Sequence, residues 1–177
     1  MRLFLAVNFS EETKSKLSAL RDELWAKSVH GNFSTTENLH LTLVFLGECN
    51  AKQSIAAKTV LDSLKIEPMD ICMNRIGRFR RDGGDIWWTG IAENKALLAL
   101  QQDSTEKLTS AGFHLDNRKY SPHITLAREV MTDVQPWRIE PFGETVRSVE
   151  LVKSERIQGK LAYTVIHGKN IESGGDQ

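Results

Sequence analysis

Two short stretches of this chain pair a histidine with a threonine two positions on: His40-Leu41-Thr42-Leu43 and His123-Ile124-Thr125-Leu126. Their alternation of polar and apolar residues reads as β-strand, where residues i and i+2 share a face. His40 therefore stands beside Thr42, and His123 beside Thr125, with the leucines and the isoleucine turned the other way. An unpaired polar group in a buried strand costs about 1–3 kcal/mol, so each face needs something polar opposite it. Two copies lying 83 positions apart (123 minus 40) point to one shared cleft. Histidine, with an ordinary pKa of about 6.5, can be neutral in one copy and protonated in the other at the same pH. On opposite sides of a phosphodiester, one imidazole could activate water while the other protonates the departing alkoxide. The threonine hydroxyls could donate to non-bridging oxygens, where charge builds in the transition state.

Other chemistries find less support. Zinc needs three or four ligands at close spacing, and the chain has no HxH, HExxH or CxxC. There is no GxSxG around a serine nucleophile and no GxxxxGK[ST] to cradle a triphosphate. Arg80-Arg81-Asp82-Gly83 is close to the KxDG of nucleotidyl-transferring ligases, but arginine stands where the lysine would be adenylated. His30, His114 and His167 have no such surroundings and read as surface or satisfied core residues. With 23 basic and 23 acidic side chains the net charge is zero, so any nucleic-acid contact must be local. The local basic cluster is Arg75, Arg78, Arg80 and Arg81, equally readable as a solvated hairpin or an RNA-contacting rim.

The elements that must position these residues follow from capping and periodicity. Arg2 to Phe9 is an apolar strand expected at the centre of a sheet. Ser10 caps a helix over about 11–27, Asn50 one to about 64, and Asn94 one that Gly112 ends. Residues 30–38 read as a polar, turn-rich connection. The motif strands are expected over 39–46 and 120–127. Strand material at 69–81 turns at Asp82-Gly83-Gly84-Asp85 and returns over 86–91. Residues 131–141 read as a loop, 146–154 and 161–167 as a last hairpin, and 172–177 as a polar tail. Adjacent antiparallel strands interrupted by helices argue for an α+β fold, in a single domain over 1–171. Cys49 and Cys72 read as reduced thiols. The run Leu3 to Phe9 is too short to span a membrane and lacks a signal-peptide cleavage site, which favours a cytoplasmic protein.

Asn38-Leu39-His40-Leu41-Thr42-Leu43-Val44-Phe45-Leu46-Gly47 and Ser121-Pro122-His123-Ile124-Thr125-Leu126-Ala127-Arg128 resemble the paired motifs of the two-histidine (2H) phosphoesterases. More narrowly, they resemble the bacterial and archaeal RNA 2′,3′-cyclic phosphodiesterases, once called 2′-5′ RNA ligases. The likeness extends to the Arg-Leu-Phe strand, to Ile86-Trp87-Trp88 and to a terminal Val-Glu-Leu-Val-Lys-Ser hairpin. It implies a bilobal fold, with pseudo-symmetric lobes of antiparallel sheet and helices around a central cleft. It also implies hydrolysis of RNA 2′,3′-cyclic phosphate ends to 2′-phosphomonoesters, with no ATP requirement; the paired imidazoles themselves call for no metal or cofactor, and with nothing in the sequence pointing to an interface a monomer is expected. On that carry-over His40 is the general acid and His123 the general base, an order that the near symmetry could exchange. Thr42, Thr125 and Arg128 hold the phosphate.

Arg118, Tyr120, Arg78, Arg80 and Trp87 are candidate RNA contacts. Trp87 and Trp88 point to opposite faces of a regular strand, one toward the core and the other able to stack a base. Phe45 and Phe113 read as core. Two rivals stay open: a non-catalytic nucleotide-binding module of the same fold, and a phosphodiesterase for a small cyclic nucleotide or ADP-ribose cyclic phosphate. Intact Thr42 and Thr125 beside both histidines favour an enzyme.

Overall fold

The computed structural model describes residues 1–171; the polar tail expected at 172–177 lies outside the described residues. Strand β1 (Arg2–Val7) is almost wholly apolar because it is covered on both faces, and it lies between β3 (Leu41–Glu48) and β8 (Ser148–Ile157), as expected of a central strand. With β9 (Lys160–Asn170) these form an antiparallel sheet in the order β3-β1-β8-β9. The second sheet runs β2-β6-β5-β4-β7, from β2 (Ser28–Phe33), β6 (His123–Thr132), β5 (Asp85–Ile91), β4 (Met69–Phe79) and β7 (Trp137–Val146). Each sheet therefore holds one motif strand, β3 or β6, beside an inner strand, β1 or β5. The architecture is α+β with two antiparallel sheets and three α-helices among the described residues.

Helix α1 (Glu11–Ala26) starts where the Ser10 hydroxyl accepts from the Thr13 amide, with Glu11 and Glu12 at the positive end of its dipole. Helix α2 (Ala51–Ser63) opens on a reciprocal capping box between Asn50 and Gln53. Helix α3 (Lys95–Ser110) is capped by Asn94 and followed by Gly112 at φ +100°. Helix α1, which joins β1 to β2, packs on β2, β6 and β7 of the second sheet, and helix α3, which joins β5 to β6, packs on β3 and α2. The lobes are thereby interlocked around one apolar core that runs through both. No helix among the described residues is long and apolar enough to cross a membrane.

Two segments expected as connections are strands. Residues 28–33 form β2, an edge strand paired only with β6 and alternating between half-buried and exposed positions. Val29 is 91% exposed, so the strand has no apolar stripe to announce it. Most of the expected loop 131–141 belongs to the end of β6 and to β7, which carries Pro141 because it pairs on one side only, with β4. The second motif strand begins at His123, not Tyr120, and runs on to Thr132. Gly83 and Gly84 turn the β4–β5 hairpin at φ +82° and +123°, as the sequence required.

Candidate active site

A short 3-10 turn (Thr36–Asn38) delivers His40 to the start of β3. Its Nδ1 lies 2.7 Å from the Asn38 carbonyl oxygen. A carbonyl can only accept, so Nδ1 carries the proton and the neutral ring presents its lone pair at Nε2. The second motif repeats the arrangement, with His123 Nδ1 2.7 Å from the carbonyl of Ser121. In both copies the carbonyl comes from the residue two positions earlier, which fixes tautomer and ring orientation locally. The copies differ at Nε2. In His40 this atom is 2.8 Å from the Thr42 hydroxyl, whereas His123 Nε2 has no protein partner among the described residues.

The walls around each ring are aromatic. His40 packs at 4.9 Å against Phe4, the rings tilted by 32°, and meets the edge of Tyr163 at 5.1 Å. His123 meets Phe79 edge-on at 5.0 Å and Trp88 at 6.1 Å. Burial holds both imidazoles below the ordinary histidine pKa, partly opposed by the Nδ1–H bonds to backbone carbonyls. The positive charge of Arg128 pushes both in the same direction, and for His40 so do Lys14 and His123. The two histidines and Arg128 thus share one electrostatic neighbourhood.

Arg128 reaches this neighbourhood through a β-bulge. Strict alternation from His123 and Thr125 would put residue 127 on the cleft face and 128 on the core face. Thr125 pairs with Trp88 and Ala127 with Trp87, so one step on β5 matches two on β6. Leu126 and Ala127 are both buried, and Arg128 returns to the face of Thr125. A second irregularity follows at Glu129, a non-glycine residue at φ +55°. β3 carries the same device: Thr42 pairs with Ala6, Val44 with Leu5 and Phe45 with Phe4. Leu43 and Val44 are both buried, and Phe45 comes out on the face of Thr42. Phe45, read from sequence as core, is 63% exposed for this reason, while Phe113 is buried.

Trp87 is wholly buried, so it cannot touch RNA. Its neighbour Trp88 is the one turned to the cleft. Arg78 is committed to the core face: its guanidinium lies 5.5 Å over the Trp87 ring and bonds the Val134 carbonyl and Gln135. Arg80 is exposed just past the end of β4, next to Phe79. Arg118 is exposed and doubly bonded to Asp116. Tyr120 is spent on structure. Its hydroxyl donates to the Thr42 carbonyl at 2.7 Å, a bond from the approach to one motif into the strand of the other, and burial pushes its pKa up.

Several cleft residues were not legible in the sequence. Phe4 sits in an unbroken apolar run that does not reveal which residues face which way. Tyr163 lies on the terminal hairpin, far from either motif. Lys14 donates to the Glu37 carbonyl and is attracted by Glu150, whose buried Oε1 has no hydrogen-bond partner among the described residues. No three His, Cys, Asp or Glu side chains among the described residues are grouped as ligands for a metal ion.

The chain is similar to known proteins over most of its length. Residues 7–88 match the family model described as LigT like Phosphoesterase. The RNA 2′,3′-cyclic phosphodiesterase of Methanocaldococcus jannaschii is 30% identical over 177 residues, which cover 94% of this chain and 98% of that protein. The protein of the same name from Geobacillus stearothermophilus is 31% identical over 160 residues, 82% of this chain, which spans about half (49%) of that longer relative. In fold, the chain superposes on E. coli LigT complexed with 3′-AMP at a TM-score of 0.84, with 24% identity and coverage of 97% and 98%. With a near full-length relative at this identity, both HxTx strands facing one cleft and the same two-sheet fold, the chain belongs to the LigT-like, two-histidine phosphoesterase family.

Proposed function

We propose that this chain is a single-domain, monomeric cytoplasmic enzyme that hydrolyses RNA 2′,3′-cyclic phosphate ends to 2′-phosphomonoesters, with two imidazoles and neither metal nor ATP. The phosphorus lies between the histidines. His123 Nε2 takes a proton from water, whose oxygen attacks the phosphorus. The P–O3′ bond breaks opposite the incoming oxygen, and His40 Nε2–H gives its proton to the leaving O3′. The 2′-ester stays intact, and the exchanged proton returns through solvent. Thr42, Thr125 and Arg128 neutralise the charge that gathers on the non-bridging oxygens.

One observation carries the reading: both rings are held by the same Nδ1–H to backbone bond, so both Nε2 atoms are the reactive ones. The difference at Nε2 supports the division of roles. A lone pair without a protein partner among the described residues suits the base, whereas a hydroxyl at 2.8 Å can accept from a protonated Nε2 and keep the acid aimed. The relatives' name supplies the substrate class.

The test is a cyclic-phosphate-terminated oligonucleotide incubated with purified protein and EDTA. Turnover that survives chelation and is lost in both His40→Ala and His123→Ala is the expected result. Binding without turnover would reduce the chain to a nucleotide-binding module. A kcat/KM for mononucleotides far above that for oligomers would move the substrate to small cyclic nucleotides.

A further inference from the structure

The chain has two tyrosines, and the fold uses them differently. Tyr120 spends its hydroxyl on the Thr42 carbonyl. The Tyr163 hydroxyl bonds no protein group among the described residues and is not sealed from solvent, although the residue is half-buried. A tyrosine packed into an apolar wall usually finds a partner for its O–H. Here the ring is held and the hydroxyl is spare.

What holds the ring is the His40 wall. The His40 and Phe4 rings lie 5.1 and 5.2 Å away, at interplanar angles of 89° and 76°. Tyr163 sits on β9, the edge strand of its sheet, opposite Ser154 of β8, which in turn lies opposite Arg2 of β1. The start of β9 is fastened to the turn before His40 by Asn38, whose side-chain amide donates to the Leu161 carbonyl at 3.0 Å. The carbonyl of the same Asn38 accepts from His40 Nδ1. One residue therefore anchors both the His40 ring and the strand that carries Tyr163. The phenol also lies within the field of Arg128, on the opposite wall, and of Arg2. Both oppose the effect of burial, which pushes its pKa above the ordinary tyrosine value, so it stays an O–H donor through the neutral range.

We infer that Tyr163 is a further catalytic residue, its O–H donating to a non-bridging oxygen of the cyclic phosphate from the His40 side while Arg128 approaches from the other wall. The inference rests on the proposed phosphodiesterase reading and adds a donor to it. Thr42 is tied to His40 Nε2 and Lys14 to the Glu37 carbonyl, whereas Tyr163 has no protein partner to give up among the described residues. Negative charge gathers on the non-bridging oxygens as water adds, so the bond strengthens in the transition state and acts on kcat more than on KM. The phenol keeps its proton throughout, and no bond of Tyr163 is made or broken.

The experiment compares the unaltered protein with Tyr163→Phe, which keeps the ring against His40 and Phe4 and removes only the oxygen. On adenosine 2′,3′-cyclic phosphate, kcat should fall by roughly 10–10²-fold with KM nearly unchanged. The separated diastereomers of adenosine 2′,3′-cyclic phosphorothioate, in which sulfur replaces one or the other non-bridging oxygen, then locate the contact. Sulfur is a weak acceptor, so the loss caused by Tyr163→Phe should persist on one diastereomer and nearly vanish on the other. A purely structural role would weigh on both alike. Unchanged kcat on the parent ester, or equal losses on the two diastereomers, would overturn the assignment. If the unaltered protein turns over none of these esters, the proposed activity fails, and calorimetric binding of adenosine 2′-monophosphate decides the contact. Roughly tenfold weaker binding by Tyr163→Phe supports it, and equal binding overturns it.

Discussion

On the β3 wall of the cleft the histidine is bonded to its own threonine, packed against Phe4 and approached by Lys14; on the β6 wall the histidine has no protein partner at Nε2 among the described residues and stands against Phe79 and Trp88. The small and large residues are also exchanged. On β1, small Ala6 lies beside Glu150, whereas on β5 the large Trp88 lies across Gly77. The bulges then bring out Phe45 on one wall and Arg128 on the other. A repeated motif on pseudo-equivalent strands supplies two like imidazoles. Their neighbours make them unlike, and a reaction needing one acid and one base requires that difference.

The largest expected effect breaks the comparison at the histidines. His40→Ala and His123→Ala should each lower kcat by about 10²–10⁴ on the cyclic ester. A diester with a p-nitrophenolate leaving group needs no proton donor, so it should restore most of the rate to His40→Ala and little to His123→Ala. Equal recovery would show that the roles are not divided in this way.

A smaller effect sits at Gly77. Gly77→Val forces Trp88 off its seat and should destabilise the fold by about 1–3 kcal/mol, read as a lower denaturant midpoint at unchanged slope. Removing the tie between the walls is milder. Tyr120→Phe leaves the Thr42 carbonyl short of one donor and should cost about 1 kcal/mol, with kcat falling more than KM rises if the walls lose their relative placement.

The pH dependence gives the finest test. Burial holds both imidazoles below the ordinary histidine value, and the base must be neutral while the acid is protonated. The kcat/KM profile should therefore be a bell centred below pH 6.5, the unperturbed value. Arg128→Gln removes a positive charge that depresses both groups, so both limbs should move to higher pH as activity drops. Limbs that stay fixed would place Arg128 away from the histidines.

The motif strands, all three helix caps and the glycine turns could be read from residue type and spacing, because each is decided within a few residues. β2 and β7 could not, since an edge strand half open to water has no apolar stripe and borrows its regularity from one neighbour. Trp87 and Trp88 illustrate the same limit. Alternation says they part to opposite faces, but only the pairing of β5 with β6 says that Trp87 goes inward.

The sequence by itself determined that two His-Thr pairs would stand on strand faces, because side-chain direction along a strand follows from a period of two. It could not determine where that period breaks. The bulges at Leu43–Val44 and Leu126–Ala127 exist only against β1 and β5, since an extra residue is defined by the partner strand it fails to match. Tertiary pairing therefore decided that Arg128 returns to the face of Thr125 and that Phe45 leaves the core. Packing of one lobe against the other decided what surrounds each imidazole.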